Sequence, residues 1–179
     1  MRQKDLDDDW PLWVLYGPIC VLTALLLFGV DIAAVHGDSM TPRLRHGEVV
    51  VVNRAAYGLQ LPVVNWYLLF WDKPRRNDIV VFNSPHDGRL AVKRTVGVEG
   101  DPISVGDAVV VVGGETYDVS LQAAAQLKRY ASVPDNMVFV VGENLQRSTD
   151  SRHYGFVPVA SIRGRVLLPW QPVAPEAER

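Results

Sequence analysis

The sequence predicts a mainly β fold, an antiparallel sandwich or barrel, preceded by one membrane-spanning helix. Residues 10–30, WPLWVLYGPICVLTALLLFGV, hold no charged side chain, and about 20 apolar residues are what a helix needs to cross a bilayer core. After them, short β-branched runs recur with turn residues between, the pattern of closed all-β domains and not of alternating βαβ units.

Within the apolar run, Trp10, Trp13 and Tyr16 gather at one end, as aromatics at a lipid interface do. Pro11 falls near the helix start and Pro18 marks a kink, both tolerated in such helices. The run is long, and no small-x-small site follows it closely, which argues against a cleaved leader. Arg2 and Lys4 precede it and Arg43 and Arg45 follow, so charge leaves its orientation open. Downstream, GEVVVVNR from Gly47, NDIVVFNSP from Asn77, RLAVKRTVGV from Arg89, DAVVVVGG from Asp107 and NMVFVVGE from Asn136 read as strands. VSLQAAAQLKRYA, from Val119, reads as a short helix. In LPVVNWYLLFW, residues 61–71, Trp66, Tyr67, Phe70 and Trp71 sit among aliphatics. That segment is either a buried hairpin or an aromatic surface lying against the membrane interface. The polar, proline-bearing tail over 171–179 is expected to fray.

Composition narrows the partners. With 18 basic and 20 acidic residues, the chain has no charge excess for a polyanion, and no basic cluster with interleaved aromatics points to nucleic acid. The single cysteine, Cys20, excludes an intramolecular disulfide and any CxxC or Cys/His metal motif.

Chemistry enters at GDSM, residues 37–40. A serine hydroxyl attacks nothing until a base takes its proton. His36 lies three positions earlier, on the opposite face of an extended chain; His46, His86 and His153 occupy turn-like contexts without an obvious aspartate. Lys93 differs. Strand alternation puts it on one face with Ala91, Thr95 and Gly97, and Arg94 on the other with Val92. Burial among small neighbours lowers a lysine's pKa and makes it a usable base, and Ser/Lys dyads are a known variant of triad logic.

Taken in order, GDSMTPRLRHGEVVVVNR, NDIVVFNSP, VKRTVGVEGD and VVGENLQRSTDSRHYGFVPVASIRGRV, spread over residues 35–166, resemble bacterial type I signal peptidases. These are membrane-anchored serine proteases of the Ser/Lys dyad class. The resemblance implies Ser39 as nucleophile and Lys93 as general base. It implies Ser148 as a hydrogen-bond partner of the lysine amine, and Asp150 with Arg152 as a charge pair behind the site. Gly37 stands where some members have a serine in the oxyanion hole, so that hole would rest on backbone N–H groups at Gly37 and chiefly Ser39. Glu143 and Leu145 depart from the family's Gly-Asp-Asn-Arg run, which puts the salt bridge at that corner in doubt. Small, apolar pockets are expected from Val35, Met40, Leu44 and Val92.

The implied division is a cytoplasmic tail over 1–9, a transmembrane helix over 10–30 and an extracytoplasmic peptidase domain over 31–170. That domain carries a compact inserted subdomain over 101–138, and a tail follows over 171–179. The implied activity is removal of signal peptides from exported preproteins after an Ala-x-Ala-type motif, at the bacterial cytoplasmic membrane, with no metal or organic cofactor. A conjugative pilin-processing peptidase of the same family, or a catalytically silent membrane-tethered β domain that binds exported chains, are the alternatives. The sequence assigns no oligomeric state.

Overall fold

The computed structural model describes residues 11–60 and 67–167. The expected cytoplasmic tail, Trp10, residues 61–66 of the aromatic segment, and residues 168–179 with the expected C-terminal tail lie outside them. Helix α1 spans Leu12–Phe28, 17 residues, a rise of about 25 Å against a hydrocarbon core of about 30 Å. Among the described residues no helix is long and apolar enough to cross a membrane. The helix is shorter than the span expected over 10–30 because sheet pairing claims its end. Val30 opens strand β1 (Val30–Ala34) and pairs with Asn53 at the end of β2 (Val49–Asn53).

The strands that follow are β3 (Gly58–Gln60), β4 (Tyr67–Phe70), β5 (Ile79–Asn83) and β6 (Leu90–Val98). Then come β7 (Ile103–Val105), β8 (Val109–Val112), β9 (Glu115–Asp118), helix α2 (Leu121–Leu127) and β10 (Met137–Val141). Helix α3 (Ser151–Tyr154), β11 (Val157–Pro158) and β12 (Ile162–Leu167) close the described chain. Each of the runs read as a strand forms one, and α2 begins where Ser120 caps it, its Oγ accepting from Ala123 N at 3.1 Å. Seven strands make one antiparallel sheet in the order β1-β2-β12-β5-β6-β10-β11. β5 explains its own sequence: Ile79 and Val81 enter one core with Val35, Met40 and Val52, and Val80 and Phe82 enter another with Tyr57 and Ile162. A strand buried on both faces reads as an unbroken apolar run.

Strand β12 carries no such run. Its signal is the alternation of buried Ile162, Gly164 and Val166 with half-buried Arg163 and Arg165, a period-2 pattern that two arginines and a glycine hide from a search for apolar residues. Between β6 and β10, a three-stranded sheet (β7-β8-β9) and α2 share a core with Phe139 and Val141. Gly97 permits that docking, since a Cβ there would lie 2.5 Å from Val112 Cγ2. In the aromatic segment β3 and β4 pair as a hairpin, but its Leu68, Leu69, Phe70 and Trp71 are exposed and not buried. Tyr67 anchors its inner side, donating to Ile162 O at 2.8 Å.

Two stretches of free backbone edge border one cleft. β1 ends the sheet, and β10 covers β6 only over residues 94–98, leaving residues 90–93 paired on the β5 side alone. A cleft of about 730 Å³ lies between these edges.

Candidate active site

Ser39 and Lys93, 54 positions apart in sequence, meet at the wall of that cleft, with Lys93 Nζ 2.7 Å from Ser39 Oγ. Ser39 sits in a turn that Gly37 opens with φ +84°, backbone that favours glycine. Lys93 projects from β6 opposite fully buried Val80 and is 5% exposed. Burial therefore holds its amine below the usual lysine value; the charge of Asp150 opposes this and that of Arg152 adds to it. With the amine neutral, the same contact lets the hydroxyl pass its proton to nitrogen. Arg94, the next residue, is turned away and ion-paired with Glu143, which also lies 3.8 Å from Arg43. The corner left in doubt by Leu145 is thus closed by arginines from other segments.

Behind the dyad, Asp150 is fully buried and receives Arg152 as a fork, Nε to Oδ1 at 2.8 Å and Nη2 to Oδ2 at 2.9 Å. Gly142 N and Ser148 Oγ also donate to Oδ2, at 2.9 and 2.6 Å, and Arg152 N to Oδ1 at 3.2 Å, which caps α3. Burial works to raise the Asp150 carboxyl, but these donors outweigh it and hold it below the usual carboxylate range. Ser148 differs from expectation. Its hydroxyl donates to Asp150, and among the described residues the hydrogen-bond partner of the Lys93 amine is Ser39 alone. Ser148 is therefore linked to the amine only through Asp150, whose charge bears on Lys93.

Gly142 is the tightest point of this arrangement. A Cβ there would lie 2.2 Å from Ser148 Oγ and 2.6 Å from Ser39 O, distances that force the backbone apart. Gly142→Ala is expected to lower stability by about 1–3 kcal/mol, the usual range for overpacking, and to lower activity together with it. Thermal unfolding beside a cleavage assay checks this; a variant active and stable like the wild type would show that the two loops yield freely.

Of the four expected pocket residues, Val35, Met40 and Val92 line the cleft. Leu44 does not. The turn that follows Met40, closed by Leu44 N donating to Met40 O at 2.8 Å, points it into the core beneath. Gly37 is also corrected: its N–H donates to His46 Nδ1 at 3.0 Å and is occupied there. Among the described residues the Ser39 N–H has no acceptor, so it is free to donate. His46 belongs to the support of the Ser39 turn, as do Asn144, whose N–H donates to Ser39 O at 3.0 Å, and Arg147, 3.0 Å from Asp38. None had a sequence signal, because each contact depends on separate loops converging.

Residues 10–171 match the family model for signal peptidase, peptidase S26. A signal peptidase I of Bacillus caldolyticus is 32% identical, over 91% of this chain and 90% of the relative. A signal peptidase I of Pseudomonas fluorescens is 27% identical over 89% of this chain and 73% of its own. Mitochondrial inner membrane protease subunit 1 of Mus musculus is 30% identical over 87% and 76%.

Proposed function

The chain belongs to the signal peptidase family, peptidase S26, and from that premise we propose that it removes signal peptides from exported preproteins with Ser39 as nucleophile and Lys93 as general base. The observation that carries the assignment is the 2.7 Å contact between the serine hydroxyl and a buried amine. Ser39 Oγ attacks the scissile carbonyl as its proton passes to Lys93 Nζ. The carbonyl oxygen, now an oxyanion, takes the Ser39 N–H. Collapse breaks the C–N bond, Lys93 returns the proton to the leaving amine, and the mature chain departs. Water, deprotonated by Lys93, then attacks the acyl ester, freeing the signal peptide and restoring the Ser39 hydroxyl.

An extended peptide fits between the free edges of β1 and β6, where exposed backbone donors and acceptors pair with a strand of any sequence. Specificity then falls to the pockets for its side chains. Val35, Met40 and Val92 leave room for small ones, so a preprotein with Ala-x-Ala before the cut should be cleaved in detergent. Replacing the last alanine by leucine or phenylalanine should lower kcat/KM by about 100-fold or more, since clash adds to the 1–3 kcal/mol per methylene of an apolar pocket. Efficient cleavage after either large residue would overturn the pocket assignment, and no cleavage of the alanine substrate would favour a silent binding domain.

Membrane attachment is part of this reading. The uncharged stretch over 10–30, which includes α1, supports an anchor with residues 1–9 on the cytoplasmic side and 31–170 outside the bacterial cytoplasmic membrane. The exposed Leu68, Leu69, Phe70 and Trp71 of the β4 hairpin support a second contact at the lipid interface.

A further inference from the structure

The end of the cleft away from Ser39 carries charge that peptide-bond hydrolysis does not use. Arg54 follows β2, and its N–H donates to Gly29 O at 2.9 Å, immediately after α1. Its side chain, 13% exposed, has Nη1 3.9 Å from Asp31 Oδ2, while Nη2 is buried without a hydrogen-bond partner. Arg163 occupies the register shift of β12 between Ile162 and Gly164, where a bulge re-aims a side chain, and its Nη2 lies 3.2 Å from Asn83 Oδ1. Both arginines line the cleft. Burial and the charge of Arg54 lower the proton affinity of Arg163, and Asp31 opposes them, so the two guanidiniums feel each other's field. Asp31, the carboxylate beside Arg54, is 61% exposed, and Asp87 and Arg89 also line the cleft.

The sheet register gives their distance from the chemistry. Asn83 pairs with Leu90, three positions before Lys93 on β6, which is about 10 Å of strand. On the facing edge, Val30 pairs with Asn53, the residue before Arg54. The arginines therefore sit about three to four residues of extended peptide beyond the residue at the cut, at the end of the cleft where α1 joins the sheet. A signal peptide's apolar segment lies in the same bilayer as the anchor, so that end takes the signal-peptide side.

We propose that Arg54 and Arg163 form a subsite for an acidic side chain of the signal peptide, about four to five residues before the cut. This rests on the function proposed above and adds a charge preference to it. Full-length enzyme in a neutral detergent tests it with preproteins that differ only in carrying Ala, Asp or Lys at the fourth or fifth residue before the cut, and a second set changed equally far after it. In the wild type, Asp substrates are expected to exceed Lys substrates about tenfold in kcat/KM on the signal-peptide side, the order of two partly screened ion pairs. Arg163→Glu is expected to reverse that ratio, and Arg54→Gln to reduce it. Because the ratio is taken within each enzyme, changes in folding or overall rate cancel. A ratio unchanged by Arg163→Glu, or a charge effect confined to the mature side, overturns the subsite. Failure of the wild type to cut even the alanine substrate overturns the function beneath it.

Discussion

Lys93→Met is expected to abolish signal-peptide cleavage while the protein stays folded, and Ser39→Ala to do the same. Removing one member of a nucleophile–base pair costs on the order of 10³- to 10⁶-fold in rate, because neither acts alone. For the wild type, activity should rise with pH as the amine loses its proton, with the acid limb lying below the ordinary lysine value because burial lowers it. The stability consequence has a definite sign. A lysine pKa lowered by folding means the unfolded chain binds more protons, so stability rises with pH between the folded and unfolded values. The charged amine thus destabilises the fold in full below its folded pKa, and that penalty vanishes above the unfolded value near 10.5. Lys93→Met, which keeps the apolar stem, should therefore be as stable as the wild type or more so at neutral pH. A pH–rate profile and thermal unfolding of the pair check this. Substantial cleavage by either variant removes the dyad, and a clearly less stable Lys93→Met would show the lysine to be an ordinary stabilising charge.

Asp150→Ala is expected to be the most damaging change to the fold itself. It leaves Arg152, 7% exposed, as a buried charge without its fork partner, and strips Gly142 N, Ser148 Oγ and the α3 cap of their acceptor. Breaking a buried pair by removing one partner costs about 3–5 kcal/mol, which lowers Tm by roughly 10 °C in a chain of this size. Replacing both, as Asp150→Leu with Arg152→Met, should be milder than the single change, since no charge is stranded. The carboxyl is held below its ordinary pKa, so its contribution is present above the unfolded value and is lost as pH falls through the folded one. Wild type and Asp150→Ala should accordingly converge in stability in strong acid. Equal Tm at neutral pH would mean that Arg152 finds another partner.

Much of this was legible in the chain. The β-branched runs at Val49, Ile79, Leu90, Val109 and Met137, and the helix capped by Ser120, follow from local periodicity and cap chemistry, which act over a few residues and survive folding. Lys93 and Arg94 were assigned opposite faces by the same period, and they take them. Ser39, Lys93, Asp150 and Arg152 were singled out by the resemblance of an ordered set of motifs, and folding brings all four to one wall of the cleft or directly behind it.

What periodicity carries no information about is partnership. A strand pattern says which way a side chain points, but not which loop will arrive opposite it. That is why Glu143 closing on Arg94, Ser148 bonding Asp150 instead of the amine, and Gly37 giving its N–H to His46 could be decided only by the assembled sheet. The same holds for Leu44, drawn into the core by a turn, and for Arg163, re-aimed by a one-residue bulge. The sequence by itself determined the five β-branched strands and the two faces of β6, because those depend on near neighbours. The tertiary structure decided which groups share a proton and which end of the cleft is charged, because hydrogen bonds and fields act across contacts between residues far apart in the chain.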